Sequence, residues 1–496
     1  MISAKISPWP IFRIYSNCLF LIFTCLFGCR HPRPLPLVCE LAQPATLSAG
    51  APRYSEVCFS SRWERPRDAT DTFDTFEAAR AFHADWLLWT YTTDTGYIRR
   101  AKRAGLKVQV ALTPTLPDWP PTPRRHERGR MLDSLGNRVV PPWMEGWDTW
   151  WGCANHPDFQ RTYRHYLSLA LDAGADAFQV DDPAMSVVLL RNGWARVCFC
   201  PHCQATADSL GRSPTDIQET VVRRFHRSMK AHAEKRRGGP VPFSCNNFRG
   251  DWELFPHDLF DFGVAEAPVR RGNPEYLYAA LRETRRRGKA QVFSFVSDKT
   301  WLVQKVIASV YASGGNALVP WDVWQGGGQP RYFGRPEDYA PLFAFVKAMA
   351  PYLDGYEDAF YHNTQDDPRY QNLPALPLSF PEYRRNTHAF LRARPQDPNA
   401  PVVLHLVDWE ILTDSFAVLL QPQRFFPDGQ IGGIRLFTPL DYEPEAHALA
   451  RRSGNYQPLA QSQTLQPDPL PDGRLRLRIP KLDWHWAIVV IFPQSE

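Results

Sequence analysis

The sequence predicts an eight-stranded parallel (β/α)8 barrel followed by a smaller antiparallel β-sandwich. Short, almost wholly apolar runs alternate with amphipathic helical stretches through the middle of the chain, and strands of this kind belong to a parallel sheet that helices cover on both faces. Eight such units occupy about 300 residues, the ordinary size of a barrel of this type. After Gly355 the chain becomes rich in proline and turns, and its apolar runs are no longer separated by a regular series of helices.

The strand and helix candidates of the barrel alternate between residues 53 and 355. The strand candidates are short apolar runs at 57–60, 85–91, 107–112, 177–180, 241–245, 260–265, 291–296 and 317–320. The helix candidates are amphipathic stretches at 76–83, 97–104, 159–173, 217–236, 276–287, 301–312 and 339–353. Gly105, Gly174, Gly288 and Gly314 follow four of them, where a left-handed helix cap is expected. No Gly-rich phosphate loop follows the first strand, which argues against a dinucleotide-binding fold.

Residues 356–496 form the second predicted domain. Four strand-like runs lie at 402–407, 433–437, 474–479 and 487–492. Runs of this length between turns predict an antiparallel β-sandwich packed beside the barrel.

The composition is that of a globular protein with many stiff loops. The 496 residues include 57 basic and 52 acidic side chains, for a net charge of +5. A dedicated nucleic-acid-binding protein would carry a dominant basic face, so this balance argues against one. Proline, with 46 residues, is about twice as frequent as usual, and the 17 tryptophans suit a scaffold that handles flat, hydroxyl-rich ligands.

The N-terminus predicts export. Residues 1–28 contain two basic and no acidic residues, and their apolar run at 18–27 is too short for a membrane span but suits a signal peptide. The sequence Leu26-Phe27-Gly28-Cys29 resembles the lipobox of bacterial lipoproteins, which implies a lipid on Cys29 and attachment to a membrane. The residue before the glycine is larger than usual, so ordinary cleavage or a retained anchor are the alternatives. The proline-rich residues 29–52 predict a tether.

Polar and aromatic residues follow most of the predicted strands. The loops that leave the C-terminal strand ends of such a barrel build its active site, so these side chains should meet at one mouth. Carboxylates supply the acid, base or nucleophile that splits an acetal, amides and arginines bind hydroxyls, and indoles stack on sugar rings. Asp181, Asp182 and Glu266 are therefore the catalytic candidates. The substrate-binding candidates are the other residues at these strand ends: Arg62, Trp63, Trp89, Tyr91, Asn246, Asn247, Asp298, Trp321 and Asp322.

Asp181 and Asp182 form the most specific local motif. Two adjacent carboxylates at the end of a buried strand are costly unless each has a partner or a chemical task. The alternative is structural: one carboxylate binds a turn or an arginine and the other caps the next segment. Glu266 has a similar alternative as an ion-pair partner of Arg270 or Arg271.

The cysteines predict a metal site. Three lie close together in Cys198-Phe199-Cys200-Pro201-His202-Cys203, a spacing that suits a tetrahedral thiolate site lacking one ligand. Cys153 is the natural fourth ligand, with His202 or His156 as substitutes, and a disulfide is the alternative in an exported protein. Because four thiolates leave no open coordination position, the expected zinc ion would be structural. No organic cofactor is expected.

The cysteine pattern also carries a family resemblance. Cys153 with Cys198-x-Cys200-x-x-Cys203 resembles the zinc-cysteine cluster of glycoside hydrolase family 42 β-galactosidases. Residues 153–159 are similar to the loop before the third barrel helix of that family, and residues 404–409 are similar to its terminal β-domain. These scattered motifs span residues 54–410 and imply a distant relative that hydrolyses an oligo- or polysaccharide. Related barrels often assemble, so a homo-oligomer is compatible with the resemblance, and the sequence leaves the oligomeric state undetermined.

The catalytic residues depart from that family's pattern. The family has Asn-Glu after strand four, with the Glu as acid/base, and a Glu nucleophile on strand seven. By position Asp182 inherits the acid/base role, but strand seven offers only Asp298. Gln179-Val180-Asp181-Asp182 is also similar to the strand-four segment of α-galactosidase-type barrels, which implies Asp181 as nucleophile and Glu266 as acid/base. The second assignment is favoured because it accounts for the carboxylate on strand six.

Two functions follow from the sequence. The first is an exported glycoside hydrolase that uses a pair of carboxylates at the barrel mouth. The second is a non-catalytic carbohydrate-binding lipoprotein on a decayed glycosidase barrel, which the departure from the family's catalytic pair keeps open. No Gly-x-Ser-x-Gly motif supports an esterase.

Overall fold

A computed structural model describes most of the chain from Leu37 onward. The described residues are 37–60, 74–118, 127–194, 196–295, 297, 299–323, 332–362, 376–382, 384, 386–410 and 414–494. The predicted signal peptide, Cys29 and the site candidates Arg62, Trp63 and Asp298 lie outside these residues. Within them, no helix has both the length and the apolar character that a membrane crossing requires.

Eight parallel strands form the predicted barrel, paired in chain order. They are β1 Cys58–Ser60, β2 Trp86–Thr90, β3 Lys107–Leu112, β4 Ala177–Val180, β5 Phe243–Cys245, β6 Phe262–Glu266, β7 Ala290–Ser294 and β8 Asn316–Ala317. A parallel bridge between Cys58 and Leu318 connects the last strand segment to the first. A hairpin of β9 Trp321–Val323 and β10 Tyr332–Phe333 follows.

Helices connect the strands and cover the barrel. The described helices are α1 Val38–Leu41, α2 Thr75–Ala81, α3 Thr95–Arg103, α4 Pro157–Asp172, α5 Ser186–Arg191, α6 Pro201–Ser209, α7 Gln218–Arg237, α8 Pro274–Arg286, α9 Thr300–Ala312, α10 Pro336–Ala348, α11 Ala350–Leu353 and α12 Pro444–Ser453. The predicted caps Gly105, Gly174, Gly288 and Gly314 have φ angles of 85°, 101°, 68° and 82°. Glycine adopts this left-handed conformation without a Cβ penalty, so the sequence marks the ends of these helices correctly.

The two faces of the barrel strands belong to different cores. On β2, Leu87 packs in the core between strands and helices, whereas Trp86 and Leu88 join a second cluster made of barrel-strand side chains. This follows from the alternation of side chains along a strand. A buried polar network adds to the second cluster, since Gln109 Nε2 donates to Ser244 Oγ at 2.7 Å.

Two antiparallel sheets form the C-terminal part of the chain, as predicted. The six-stranded sheet contains, in spatial order, β11 Glu357–Tyr361, β13 Thr387–Ala393, β14 Val402–Asp408, β20 Trp486–Pro493, β16 Ile431–Pro439 and β17 Ala460–Thr464. The four-stranded sheet contains β12 Leu378–Ser379, β15 Phe416–Leu420, β19 Leu475–Ile479 and β18 Asp468–Pro469. Leu404, Leu420 and Leu477 are buried in the core that both sheets share.

The larger sheet also packs against the barrel. The ring centroid of Trp486 on β20 lies 6.0 Å from that of Tyr311 on α9 and 4.9 Å from that of Phe345 on α10. Because this sheet is buried on both faces, its central strands are continuous apolar runs rather than alternating ones.

The prediction of a tether over residues 29–52 is wrong for residues 38–42. Val38, Cys39 and Ala42 are buried in the core of the C-terminal sheets, and α1 packs against β11 and β13. The prediction rests on the prolines of this segment and overlooks these three apolar residues, whose burial stabilises a packed conformation.

Buried histidines predict that the fold loses stability in mild acid. Burial lowers the pKa of His83 to about 3 and the pKa values of His226, His388 and His447 to about 4. In the unfolded chain these rings titrate near about 6.5. Between these values the unfolded state binds more protons than the folded state, so the free energy of unfolding falls as the pH falls. We expect urea unfolding to give a lower free energy of unfolding at pH 5 than at pH 7.5.

One histidine offers a matched variant for that measurement. His226 Nε2 lies 2.7 Å from the Pro183 carbonyl oxygen, and His226→Gln keeps an N–H donor but cannot take up a proton. We expect this substitution to reduce the difference in the free energy of unfolding between pH 7.5 and pH 5 by about 1–2 kcal/mol. An unchanged difference would show that His226 does not contribute.

Candidate active site

A cleft of about 610 Å³ opens where the consecutive strands β2 to β6 end. Its size is in the range of small-molecule sites, and it lies at the end of the barrel that the sequence analysis selects. Its walls are residues on or after these strands: Tyr91, Thr92, Thr93, Ala111, Thr113, Thr115, Leu116, Pro117, Trp143, Met144, Trp147, Asp181, Asp182, Asn246 and Glu266.

Asp181 has the best-defined surroundings of the three carboxylates. Its Oδ1 accepts hydrogen bonds from the Asn246 amide at 3.2 Å and from the backbone N–H of Asp182 at 3.1 Å. Its Oδ2 accepts a short hydrogen bond from the Tyr91 hydroxyl. Three donors from three strand ends therefore fix the orientation of this carboxylate in the cleft.

Trp89 sets the direction of the hydrogen bond from Tyr91. The indole Nε1 of Trp89 lies 2.9 Å from the Tyr91 hydroxyl oxygen. An indole N–H can only donate, so the hydroxyl oxygen accepts from Trp89 and its own hydrogen points at Asp181.

The local backbone at Trp89 is irregular. Its φ is 53°, and the pairing of β2 with β3 shifts register between Leu87 and Thr90. A positive φ is unusual for a bulky residue, and irregularities of this kind concentrate beside functional sites.

Asp182 enters the same cleft through its own backbone conformation. Successive residues of an extended strand point in opposite directions, but Asp182 has a φ of 46°, which allows it to line the cleft together with Asp181. Burial raises the pKa of Asp182 well above its usual range, and the negative charges of Asp181 and Glu266 act in the same direction. A hydrogen bond with the Trp143 side chain acts against them. These surroundings favour the protonated form of Asp182.

Glu266 lines the cleft from a different side. It is the last residue of β6, two strands away from the β4 end that carries Asp181 and Asp182. Glu266 and Asp182 line the same cleft, and the negative charge of Glu266 contributes to the raised pKa of Asp182. All three catalytic candidates thus line a single cleft.

Three predicted binding residues do not line this cleft. Asn247 is fully buried, and its amide pairs with Gln291 through hydrogen bonds of 2.7 and 3.0 Å. Trp89 is also fully buried, and its indole N–H donates to the hydroxyl of Tyr91, which lines the cleft. Trp321 is 3% exposed and stacks on Phe59 with 5.1 Å between ring centroids.

The remaining candidates divide between the cleft and the undescribed part of the chain. Tyr91 and Asn246 line the cleft as predicted. Asp322 has its backbone in β9, and its side chain lies outside the described residues.

Two tryptophans that the sequence analysis does not select line the cleft. Trp143 and Trp147 belong to the long loop between β3 and α4 and are 44% and 60% exposed. Trp143 lies in a short 3₁₀ helix, Pro142–Met144. The sequence does contain a sign of them, since residues 141–151 include four tryptophans. That run is distant from any strand end, which is why a search of strand ends misses it.

The four predicted metal ligands come together beside this loop. Cys153 Sγ lies 3.8 Å from Cys200 Sγ and 3.5 Å from Cys203 Sγ, and with Cys198 all four sulfur atoms lie within 4.8 Å of one another. A zinc ion with Zn–S bonds of about 2.3 Å requires tetrahedral S–S edges of about 3.8 Å. The four side chains are buried free thiols, so the donor set and its spacing fit this ion.

The cysteines connect two loops at the barrel mouth. Cys153 lies at the end of the β3–α4 loop, whereas Cys198, Cys200 and Cys203 follow α5. A hydrogen bond of 2.7 Å from the backbone N–H of Phe199 to the carbonyl oxygen of Leu132 joins the same two segments.

Comparison with solved structures finds carbohydrate-active barrel enzymes. A cycloisomaltooligosaccharide glucanotransferase of Paenibacillus sp., solved with cycloisomaltoheptaose, is 9% identical with a TM-score of 0.57, over 88% of this chain and 85% of that one. The native debranching enzyme of Nostoc punctiforme is 8% identical with a TM-score of 0.46, over 90% and 100%. A GH27 β-L-arabinopyranosidase of Geobacillus stearothermophilus is 10% identical with a TM-score of 0.41, over 92% and 88%.

The first of these similarities establishes the fold. It extends over most of both chains, and therefore includes the barrel and the C-terminal sheets. No protein-family profile matches the sequence. No curated protein matches it either.

Proposed function

We propose that this protein is a glycoside hydrolase. The observation that carries the proposal is the convergence of Asp181, Asp182 and Glu266 in one cleft at the C-terminal end of the barrel. Two exposed indoles, Trp143 and Trp147, line the same cleft and offer flat apolar faces for sugar rings. The fold shared with the Paenibacillus glucanotransferase supports a carbohydrate substrate.

The strand positions of the carboxylates support one assignment of roles. The nucleophile and the acid/base of a retaining glycosidase flank the scissile bond from opposite sides. Asp181 and Asp182 leave the same strand end, whereas Glu266 reaches the cleft from β6. We therefore assign Asp181 as nucleophile and Glu266 as acid/base.

Asp182 and its neighbours take the supporting roles in this assignment. Asp182, whose protonated form is favoured by burial, would donate a hydrogen bond to a sugar hydroxyl. Asn246 and Tyr91 hold the Asp181 carboxylate in place. The competing assignment, implied by the resemblance to family 42, makes Asp182 the acid/base.

Turnover of simple glycosides tests the function. The purified protein would be incubated with a panel of aryl α- and β-glycosides and with reduced linear oligosaccharides, and the released phenol or reducing ends would be measured. Hydrolysis of one anomer would support the proposal and identify the sugar. Binding of sugars by calorimetry without any turnover would favour the non-catalytic carbohydrate-binding alternative.

The hydrogen bond from Tyr91 to Asp181 predicts a measurable effect on catalysis. Tyr91→Phe removes a donor to a charged group, an interaction of about 1.5–3 kcal/mol, so we expect kcat/KM to fall about 10- to 100-fold. Trp89→Phe removes the N–H that orients the Tyr91 hydroxyl. In the Tyr91→Phe background it should therefore cause no further loss. Additive losses in the double variant would contradict this coupling, and thermal unfolding would check that the variants fold.

Zinc and export complete the proposal. Cys153, Cys198, Cys200 and Cys203 would hold a structural zinc ion that joins the β3–α4 loop to the segment after α5, and four thiolates would leave it no position for water. The N-terminal sequence supports export and a lipid anchor on Cys29.

A further inference from the structure

Three exposed tryptophans lie in the cleft or next to it, and we call them the aromatic shelf: Trp143, Trp147 and Trp194. Their side chains are 44%, 60% and 37% exposed. The ring centroids of Trp143 and Trp194 lie 5.5 Å apart. A single exposed tryptophan is ordinary, but neighbouring exposed indoles mark a binding surface in a soluble domain.

Packing holds the Trp143 ring, and backbone hydrogen bonds hold the segments that carry Trp147 and Trp194. Trp143 packs edge-on against the buried ring of Trp151, with 5.6 Å between centroids, and its side chain also hydrogen-bonds Asp182. The backbone N–H of Trp147 donates to the Met144 carbonyl at 3.0 Å. The backbone N–H of Trp194 donates to the carbonyl of Leu189, also at 3.0 Å. The Trp143 ring, packed in this way, loses little conformational entropy when a ligand stacks on it.

The shelf extends beyond the cleft. Trp143 and Trp147 line the cleft from the β3–α4 loop, whereas Trp194 follows α5 and lies outside the set of lining residues. Since Trp143 touches both Asp182 and Trp194, the aromatic surface begins at the carboxylates and continues outward past the cleft wall.

We propose that the aromatic shelf is a binding site for further sugar rings of a linear oligosaccharide whose reacting bond lies at the carboxylates. This inference rests on the proposed carbohydrate substrate. The C–H face of a sugar ring is flat and apolar and stacks on an indole, while its hydroxyl groups stay hydrated at the ring edge. A shelf that serves this purpose makes chain length a determinant of affinity, because Trp194 does not line the cleft that contains the carboxylates.

Binding measured without turnover tests the shelf. In an Asp181→Asn background, calorimetry would compare glucose, xylose, mannose and galactose with their linear β- and α-linked hexasaccharides. We expect one hexasaccharide to bind at least about tenfold more tightly than its monosaccharide. Trp147→Ala and Trp194→Ala should each remove most of this gain, and Trp194→Phe, which retains an aromatic face, should restore it.

Trp301 offers a matched control. Its side chain on α9 is 51% exposed and does not line the cleft, so Trp301→Ala should leave the gain unchanged. The inference is overturned if no hexasaccharide binds more tightly than its monosaccharide, or if the gain persists in both Trp147→Ala and Trp194→Ala. If length-dependent binding is present but the unsubstituted protein cleaves no glycoside, the shelf stands and the hydrolase proposal fails.

Discussion

Asp181→Asn is expected to reduce kcat by at least about 10³-fold, because an amide cannot attack the anomeric carbon or stabilise the positive charge that develops there. The substitution keeps the size of the side chain and an oxygen that can accept from Asn246. The fold should therefore survive, and circular dichroism and thermal unfolding would check this. Asp208→Asn, at an exposed position on α6, is the matched control and should retain full activity. Activity within tenfold of the unsubstituted protein would rule out Asp181 as the nucleophile.

Kinetic assays of two further variants distinguish Glu266 from Asp182 as the acid/base. A dinitrophenolate leaving group needs no protonation, whereas an alcohol leaving group does. On our assignment, Glu266→Gln should lose activity on natural glycosidic bonds and keep the first chemical step on a dinitrophenyl glycoside. Asp182→Asn should lower activity on both substrates by a similar factor. The reverse result would assign the acid/base role to Asp182, as the resemblance to family 42 implies.

The sequence predicts the barrel well because its strands are buried on both faces. Apolar runs such as 107–112 and 177–180 are typical of a parallel sheet that is covered by helices on both faces. They match β3 and β4 residue for residue. The catalytic candidates follow from the same fact, since the polar residue after an apolar run lies at the barrel mouth.

The substrate-binding residues are harder to predict, because sequence gives neither the direction of a side chain nor the path of a long loop. Asn246 and Asn247 are adjacent, yet the first donates to Asp181 and the second pairs with Gln291 inside the barrel. Trp89 has a positive φ, and its side chain lies in the core. Trp143 and Trp147 reach the cleft from a loop of some forty residues, and only tertiary packing places them there.

The cysteine cluster predicts the largest effect on stability. Binding of a structural zinc ion contributes directly to folding, so Cys153→Ala should abolish zinc binding and lower Tm by roughly 10 °C. Cys245→Ala is the matched control, because it also removes a buried thiol but leaves the four ligands intact. Elemental analysis should find one zinc per chain in the control and in the unsubstituted protein, and none in Cys153→Ala.

Loss of the metal should also have a specific effect on substrate binding. The cluster joins the β3–α4 loop, which carries Trp143 and Trp147, to the segment after α5, which carries Trp194. The carboxylates, by contrast, are held by the barrel strands. Removal of zinc by a chelator should therefore raise KM for a long substrate more than it lowers kcat for an aryl glycoside. A protein that contains no zinc and shows a Cys153 disulfide by mass spectrometry would contradict this account, and the two loops would then be joined by a covalent bond instead.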